Sequence, residues 1–290
     1  MDSITITAPA KINLMLDVTG RRSDGYHTLL TIMQSISLSD TVFIELNDSG
    51  KLFFECRTDG IPNGRENIAY KAAEAFLDYS GVSCGGLYIC VHKNIPFQAG
   101  LGGGSADCAA VLIGLNKLLG TGYSEEKLCE IGVKLGADVP FCLVGGTRLC
   151  QGIGEEISYV PPLESCFIVI AKGTGGISTK KAYQRIDNLE ARNALDISMY
   201  DGSISSIKKI GRNIFEEVTE SDDVFKIKQI CTDFGADYTA MSGSGSAVFG
   251  LFGMSRPKNT AHICANRLRS EGFWADVCIP LSYGAKYFDR

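Results

Sequence analysis

None of the 11 cysteines forms a Cys-x-x-Cys pair, and the three histidines, His27, His92 and His262, are isolated. That argues against a zinc site, whose ligands come at short, recognisable spacings. No apolar run approaches the length a membrane span needs. The opening Met-Asp-Ser-Ile-Thr-Ile-Thr lacks the basic flank and apolar core of a signal peptide. The expected setting is cytoplasmic, with no membrane partner. Basic charge is not in excess either: 28 Lys and Arg stand against 33 Asp and Glu, a formal net charge of −5. Nucleic acid is therefore not expected as the main partner, although a local basic pocket stays open. No tandem repeat is visible. What remains is an ordinary globular composition, 45% hydrophobic and 21% charged, over 290 residues. That is enough for one large or two medium domains. An odd number of scattered cysteines in such a chain reads as reduced, mostly buried thiols.

The most informative stretch runs from Pro96 to Ala110. Gly100, Gly102, Gly103 and Gly104 remove side chains where a ligand touches backbone, and glycine reaches dihedrals other residues avoid. Ser105 is placed to cap the helix that follows. Ala106, Ala109, Ala110, Leu112, Ile113, Leu115 and Leu119 then read as a helix buried on one side. Glycines feeding a helix N-terminus make an anion site, where free N–H groups and the helix dipole converge. Phosphate is the natural ligand. No Lys-Ser or Lys-Thr follows these glycines, and no Gly-x-Gly-x-x-Gly follows an early strand. Neither a P-loop nor a Rossmann site is expected.

Periodicity places strands at 4–6 and 11–18, with Ile12, Leu14, Leu16 and Val18 on one face. A polar turn follows at 20–25, then a mixed apolar segment at 26–36. A strand pair is expected around Asn47-Asp-Ser-Gly50, with a helix at 67–79 and a strand at 86–91. Ser124 caps a helix over 124–135, and Phe141 to Val144 reads as a short apolar strand. The composition shifts near Pro161-Pro162, a plausible domain boundary. Beyond it, strands near 166–171, 247–252 and 274–279 alternate with helical patterns, which suggests a smaller α+β domain.

Several residues carry two readings. Lys11 is either a lysine at a strand end or, with Asn13 two residues on and on the same face, part of a site for an anionic or polar ligand. Asp138 is either a turn aspartate capping backbone N–H groups or a carboxylate in a partly dry cleft, able to take a proton from a substrate hydroxyl. Tyr26 and His27 suit core packing or a ligand cleft. Ser242-Gly-Ser-Gly245 is a tight turn by default and a candidate second wall of the phosphate site.

In this order, Pro9-Ala-Lys-Ile-Asn13, Pro96 through Ala110, and Met241-Ser-Gly-Ser-Gly-Ser-Ala-Val-Phe249 resemble the three motifs of the GHMP small-molecule kinases. The resemblance covers nearly the whole chain. It implies an α+β, two-domain GHMP kinase fold: a ribosomal-protein-S5-domain-2-like domain over 1–160, carrying the phosphate loop, and a ferredoxin-like domain over 161–290. It implies ATP and Mg²⁺ as cofactors. Gly20-Arg-Arg-Ser-Asp-Gly-Tyr-His27 and Leu135-Gly-Ala-Asp-Val-Pro140 resemble those members that phosphorylate a hydroxyl of a cytidyl small molecule. On that basis Asp138 is the general base and Lys11 lies beside it and the moving phosphoryl group. Asn13 helps hold the substrate, Tyr26 stacks on cytosine and His27 reads its edge. Tyr183 is a second aromatic for the other face. Pro96, Gly100, Leu101, Gly102, Gly103, Gly104, Ser105 and Ala106 surround the ATP phosphates, with Gly243, Ser244 and Gly245 in support. Phe97 and Gln98 stand where the family commonly has small residues, and Ala106 where it usually has a second serine. A mevalonate- or homoserine-type kinase and a non-catalytic nucleotide-binding protein of the same fold are the alternatives.

Overall fold

A computed structural model describes residues 2–175, 178–189, 195–257 and 259–288. Gly176 and Ile177, which lead the segment carrying Tyr183, lie outside them. Two long antiparallel strands, β1 (Ser3–Arg21) and β2 (His27–Leu46), form the spine. The two short strands expected at 4–6 and 11–18 are one. Its register slips between Pro9 and Lys11, between Asn13 and Met15, and between Val18 and Gly20. Such bulges re-aim side chains without ending a strand. Here they flank Lys11 and Asn13, which both come out buried.

β3 (Leu52–Cys56) does not pair back onto β2 as the turn at Asn47 suggests. After α1 (Ile68–Ser80), β4 (Leu87–His92) inserts between them, antiparallel to β2 and parallel to β3. Burial explains the order. Leu87, Ile89 and Val91 of β4 are buried beside Val42 and Ile44, whereas most of β3 is only half-covered and suits an edge.

The glycine stretch opens α2 (Gly103–Leu118). This helix is buried on nearly every side from Ala106 to Leu115, not on one. It lies on β1 and β2 with α1, α3 (Glu125–Gly132) and α4 (Val139–Val144) around it. Gly114 permits the close approach, since a Cβ there would meet Ile44 Cδ1 at 2.5 Å and Ile6 Cδ1 at 2.7 Å. Ser124 does cap α3, accepting from the Lys127 N–H. The apolar segment at 141–144 is helical, not a strand, and Pro140 sits in its first turn, where a missing N–H costs nothing. β5 (Thr147–Gln151) and β6 (Glu156–Tyr159) form a hairpin off β2.

From Cys166 onward a second sheet forms from β7 (Cys166–Lys172), β8 (Tyr238–Met241), β9 (Val248–Gly253) and β10 (Trp274–Cys278). Their spatial order, β10-β7-β9-β8, is antiparallel throughout, the split-βαβ arrangement of a ferredoxin-like fold. Between β7 and β8 come α5 (Thr179–Ile186), α6 (Ile204–Ile210) and α7 (Asp222–Asp233). α7 packs on this sheet together with α8 (Thr260–Ser270). β11 (Lys286–Tyr287) then returns to the first sheet and pairs with β1. Among the described residues no helix is long and apolar enough to cross a membrane. All eleven cysteines are free and eight are buried. Burial pushes the Cys150 thiol up to about 12, which keeps it a hydrophobe rather than a nucleophile.

Candidate active site

The phosphate loop starts the helix differently from the expected Ser105 cap. The N-cap is Gly102, left-handed at φ 70°, with no side-chain cap bond, and Ser105 lies inside the first turn. A helix start without a side-chain cap suits an incoming anion. A cavity of about 270 Å³ opens there, lined by Ile68, Lys93, Ile95 and residues 96–105. Pro96, Gly100, Leu101, Gly102, Gly103, Gly104 and Ser105 all line it, whereas Ala106 points into the core. Gln98 has φ 51°, a left-handed conformation that favours glycine.

The glycines also serve packing. A Cβ at Gly100 would lie 2.1 Å from the Ser242 carbonyl oxygen, and one at Gly102 would lie 2.9 Å from Lys11 Cγ. The second glycine loop is docked directly on the first. Ser242 Oγ donates to the Gly100 carbonyl at 2.9 Å, and the Ala247 N–H donates to the Ala99 carbonyl at 3.0 Å. Gly243 is left-handed at φ 56°, and Ser244 Oγ sits 2.7 Å from Thr179 Oγ1. Gly245 closes the turn with its N–H donating to the Ser242 carbonyl.

Lys11 stands between these loops. Its N–H donates to the Leu101 carbonyl, and its Nζ donates to Asn13 Oδ1 at 2.8 Å. The same ammonium lies 3.3 Å from Asp138 Oδ2. Lys11 is 5% exposed at the side chain and Asp138 is 30% exposed, so the carboxylate is the open partner of the pair. Asp138 precedes α4 and makes no side-chain cap bond. The capping role is therefore not the one it fills. Asn13 is fully engaged at its oxygen, which accepts from both Lys11 and the Gly243 N–H at 2.9 Å, while Nδ2 donates to Thr31 Oγ1. It fixes the lysine and ties it to the second loop.

A cavity of about 470 Å³ is bounded by Tyr26, His27, Tyr183, Asp187 and Ala137, the neighbour of Asp138 in sequence. Tyr26 is 62% exposed at its rim. His27 stacks directly on Tyr183, with ring centroids 4.5 Å apart and planes 16° apart. Tyr183 thus backs the histidine, and it lines the same cavity as Tyr26. Burial pushes the Tyr183 phenol up to about 12. His27 Nε2 lies 2.6 Å from Asp187 Oδ1, and this hydrogen bond holds the Asp187 carboxyl below its usual range.

Sequence reasoning missed Asp187, which no local pattern marks. It also missed a buried charge cluster under the phosphate loop. Lys93 donates to both Asp40 and Asp107. Here a clue existed, since Asp107 interrupts an otherwise apolar helix start. Asp40 also accepts from the Asn94 and Ile95 N–H groups, whereas Asp107 Oδ1 has no partner. The proton therefore goes to Asp107, whose carboxyl is pushed up to about 8 by burial, Lys93 opposing and Asp40 adding to it. An acid with a raised folded pKa keeps its proton after the unfolded chain has lost it at 3.8, so stability falls as pH rises from about 4 to 8. In Asp107→Asn that slope is expected to flatten. Urea midpoints at pH 5 and pH 8 check this, and a wild-type slope in the variant would assign it elsewhere.

The pattern of the GHMP kinases N terminal domain matches residues 67–146, and that of the GHMP kinases C terminal domain matches 190–273. The chain belongs to the GHMP kinases, ATP-dependent enzymes that phosphorylate small molecules. It is 42% identical over 276 residues to the 4-diphosphocytidyl-2-C-methyl-D-erythritol kinase of Geotalea daltonii, covering 94% of this chain and 97% of that one. A crystal structure of 4-(cytidine 5'-diphospho)-2C-methyl-D-erythritol kinase superposes with a TM-score of 0.78 at 30% identity, covering 96% and 99% of the two chains. Within the superfamily, this chain belongs with the 4-diphosphocytidyl-2-C-methyl-D-erythritol kinases. The homoserine kinase of Cytophaga hutchinsonii, with a TM-score of 0.76 at 19% identity and coverage of 99% and 98%, shares the fold.

Proposed function

We propose that this chain transfers the γ-phosphoryl group of ATP to the 2-hydroxyl of 4-diphosphocytidyl-2-C-methyl-D-erythritol, a step in the non-mevalonate route to isoprenoid precursors. One observation carries the residue assignment: Lys11, which packs on Gly102 in the wall of the phosphate-sized cavity, is ion-paired to Asp138, the residue after Ala137 in the wall of the cavity edged by an exposed tyrosine. Phosphoryl transfer asks for positioning and charge stabilisation more than covalent catalysis. The loop amides and the α2 dipole hold the triphosphate. Asp138 accepts the proton of the 2-hydroxyl as its oxygen bonds to phosphorus and the bond to ADP breaks. Lys11 offsets the charge on the phosphoryl oxygens.

Among the described residues no three His, Cys, Asp or Glu side chains converge as a metal site. The two nearest carboxylates, Asp107 and Asp138, each face a lysine. The side chains do not assemble a magnesium cage of their own. Mg²⁺ is proposed to arrive on the nucleotide.

Tyr26 supplies a stacking face for cytosine. With Asp187 ionised, His27 Nε2 donates to it, and the neutral ring then offers Nδ1 as an acceptor. An acceptor suits the exocyclic amine of cytosine and opposes the carbonyl that uracil has in its place. Base–aromatic stacking is worth about 1–3 kcal/mol. Tyr26→Ala is accordingly expected to raise the KM for the cytidyl substrate by about 5- to 100-fold with the ATP KM unchanged. If only ATP affinity moved, the stacking assignment would be wrong. The activity itself is tested with ATP and the cytidyl substrate, with mevalonate and homoserine as parallel acceptors and the product read by phosphorus NMR. Phosphate on either control in place of the cytidyl 2-hydroxyl would overturn the reading.

A further inference from the structure

A single turn, Asn213 to Glu216, reaches both halves of the site. It is fastened to β1, the strand that carries Lys11, by the Leu16 N–H donating to the Arg212 carbonyl at 2.8 Å and by a parallel bridge from Leu16 to Asn213. Asn213 is buried, and its Nδ2 donates to the Met241 carbonyl at 2.7 Å and to the Gly243 carbonyl at 2.8 Å. Glu216 Oε1 accepts from the Met241 N–H at 2.6 Å. These bonds hold the second glycine loop from below. Gly243 in turn donates to Asn13, and Asn13 accepts from Lys11. Two residues along, Phe215 meets Tyr183 edge to face, with centroids 5.0 Å apart and planes at 85°, and Tyr183 carries the His27 ring.

We infer that Asn213 and Phe215 are positioning residues for the two substrates, Asn213 acting on the Lys11 ammonium through Gly243 and Asn13, and Phe215 acting on the cytidyl pocket through Tyr183 and His27. The inference rests on the role given to Lys11 above. Neither residue touches a cavity that holds substrate, so each acts through another group. The turn also makes the two effects separable, because its two arms lead to different side chains.

A double-mutant cycle tests the first arm. Asn213→Ala alone is expected to lower kcat by about 10²-fold, the scale of a misplaced catalytic group. In a Lys11→Ala background it should lower the residual rate, followed with radiolabelled ATP, by no more than about 3-fold, since the group it positions is gone. Equal losses in both backgrounds would make Asn213 a general stabiliser and overturn the inference, leaving Lys11 in place. A wild-type kcat in Lys11→Ala would instead overturn the reading of Lys11 and the inference with it. Phe215→Leu tests the second arm and leaves the asparagine bonds intact, so it also serves should Asn213→Ala not fold. The KM for the cytidyl substrate should rise about 3- to 10-fold, the scale of one lost aromatic pair, with kcat and the ATP KM held within about 2-fold. An unchanged cytidyl KM, or a parallel rise for both substrates, would overturn this arm.

Discussion

Asp138→Asn is expected to lower kcat by about 10³-fold while leaving the affinity for ATP within a few-fold of wild type. A positioned general base contributes about 10²–10⁴-fold, and the amide keeps the shape while losing the proton acceptor. Two structural facts narrow the interpretation. Asp138 makes no cap bond to α4, so the substitution takes no helix-capping energy with it. Its contact with Lys11 is an ion pair to a buried ammonium, and the Asn13 oxygen remains as a second acceptor for that ammonium. The variant should therefore melt near the wild-type temperature. Single-turnover rates, isothermal ATP titration and thermal melting check the three expectations together. A folded variant with wild-type turnover would remove the carboxylate from the proton step.

Gly100→Ala should do damage of a different kind. Gly100 has φ 75°, where an L residue with a Cβ costs about 1–2 kcal/mol. The new methyl would sit 2.1 Å from the Ser242 carbonyl oxygen, and a backbone atom cannot rotate out of the way as a side-chain tip can. Overpacking of this kind adds about 1–3 kcal/mol. The expected total of about 2–5 kcal/mol corresponds to a fall in Tm of roughly 4–20 °C at 2–4 °C per kcal/mol. The ATP KM should rise more than tenfold, since the two glycine loops are pushed apart where they meet. Gly64→Ala is the control, because a Cβ there meets nothing within 4 Å. Should Gly100→Ala melt and bind ATP like Gly64→Ala, the loops are not docked as described.

What the sequence made legible was local. The glycine cluster, the Lys11–Asn13 pair and the capping Ser124 all depend on neighbours within a few positions, and each is found where the spacing puts it. The misreadings share one cause, which is that partners distant in sequence decide them. The stretch 141–144 has strand-like residues, but burial among α2 and α3 gives it a helix. β3 loses the place beside β2 because β4 brings the more apolar face. A helix burying one stripe becomes a central helix once α1, α3 and α4 close around it. Asp187 meets His27 only when the second half of the chain folds onto the first, and Asn213 finds its carbonyl partners 28 and 30 positions further on. A polar residue in a loop gives no sign of this in one sequence.

The segment that returns to β1 has a consequence for biosynthesis. Gly284 lies so close to the end of α4 that a Cβ on Gly145 would be 1.9 Å from its nitrogen, and the Ala285 N–H donates to the Cys142 carbonyl. The helix that begins at Asp138 is thus braced by residues translated well over a hundred codons after it. A nascent chain emerges N-terminus first, so the ribosome exposes Asp138, Lys11 and both glycine loops before it supplies the clasp that steadies α4. The bracing of α4 is complete only after residue 285 has been made.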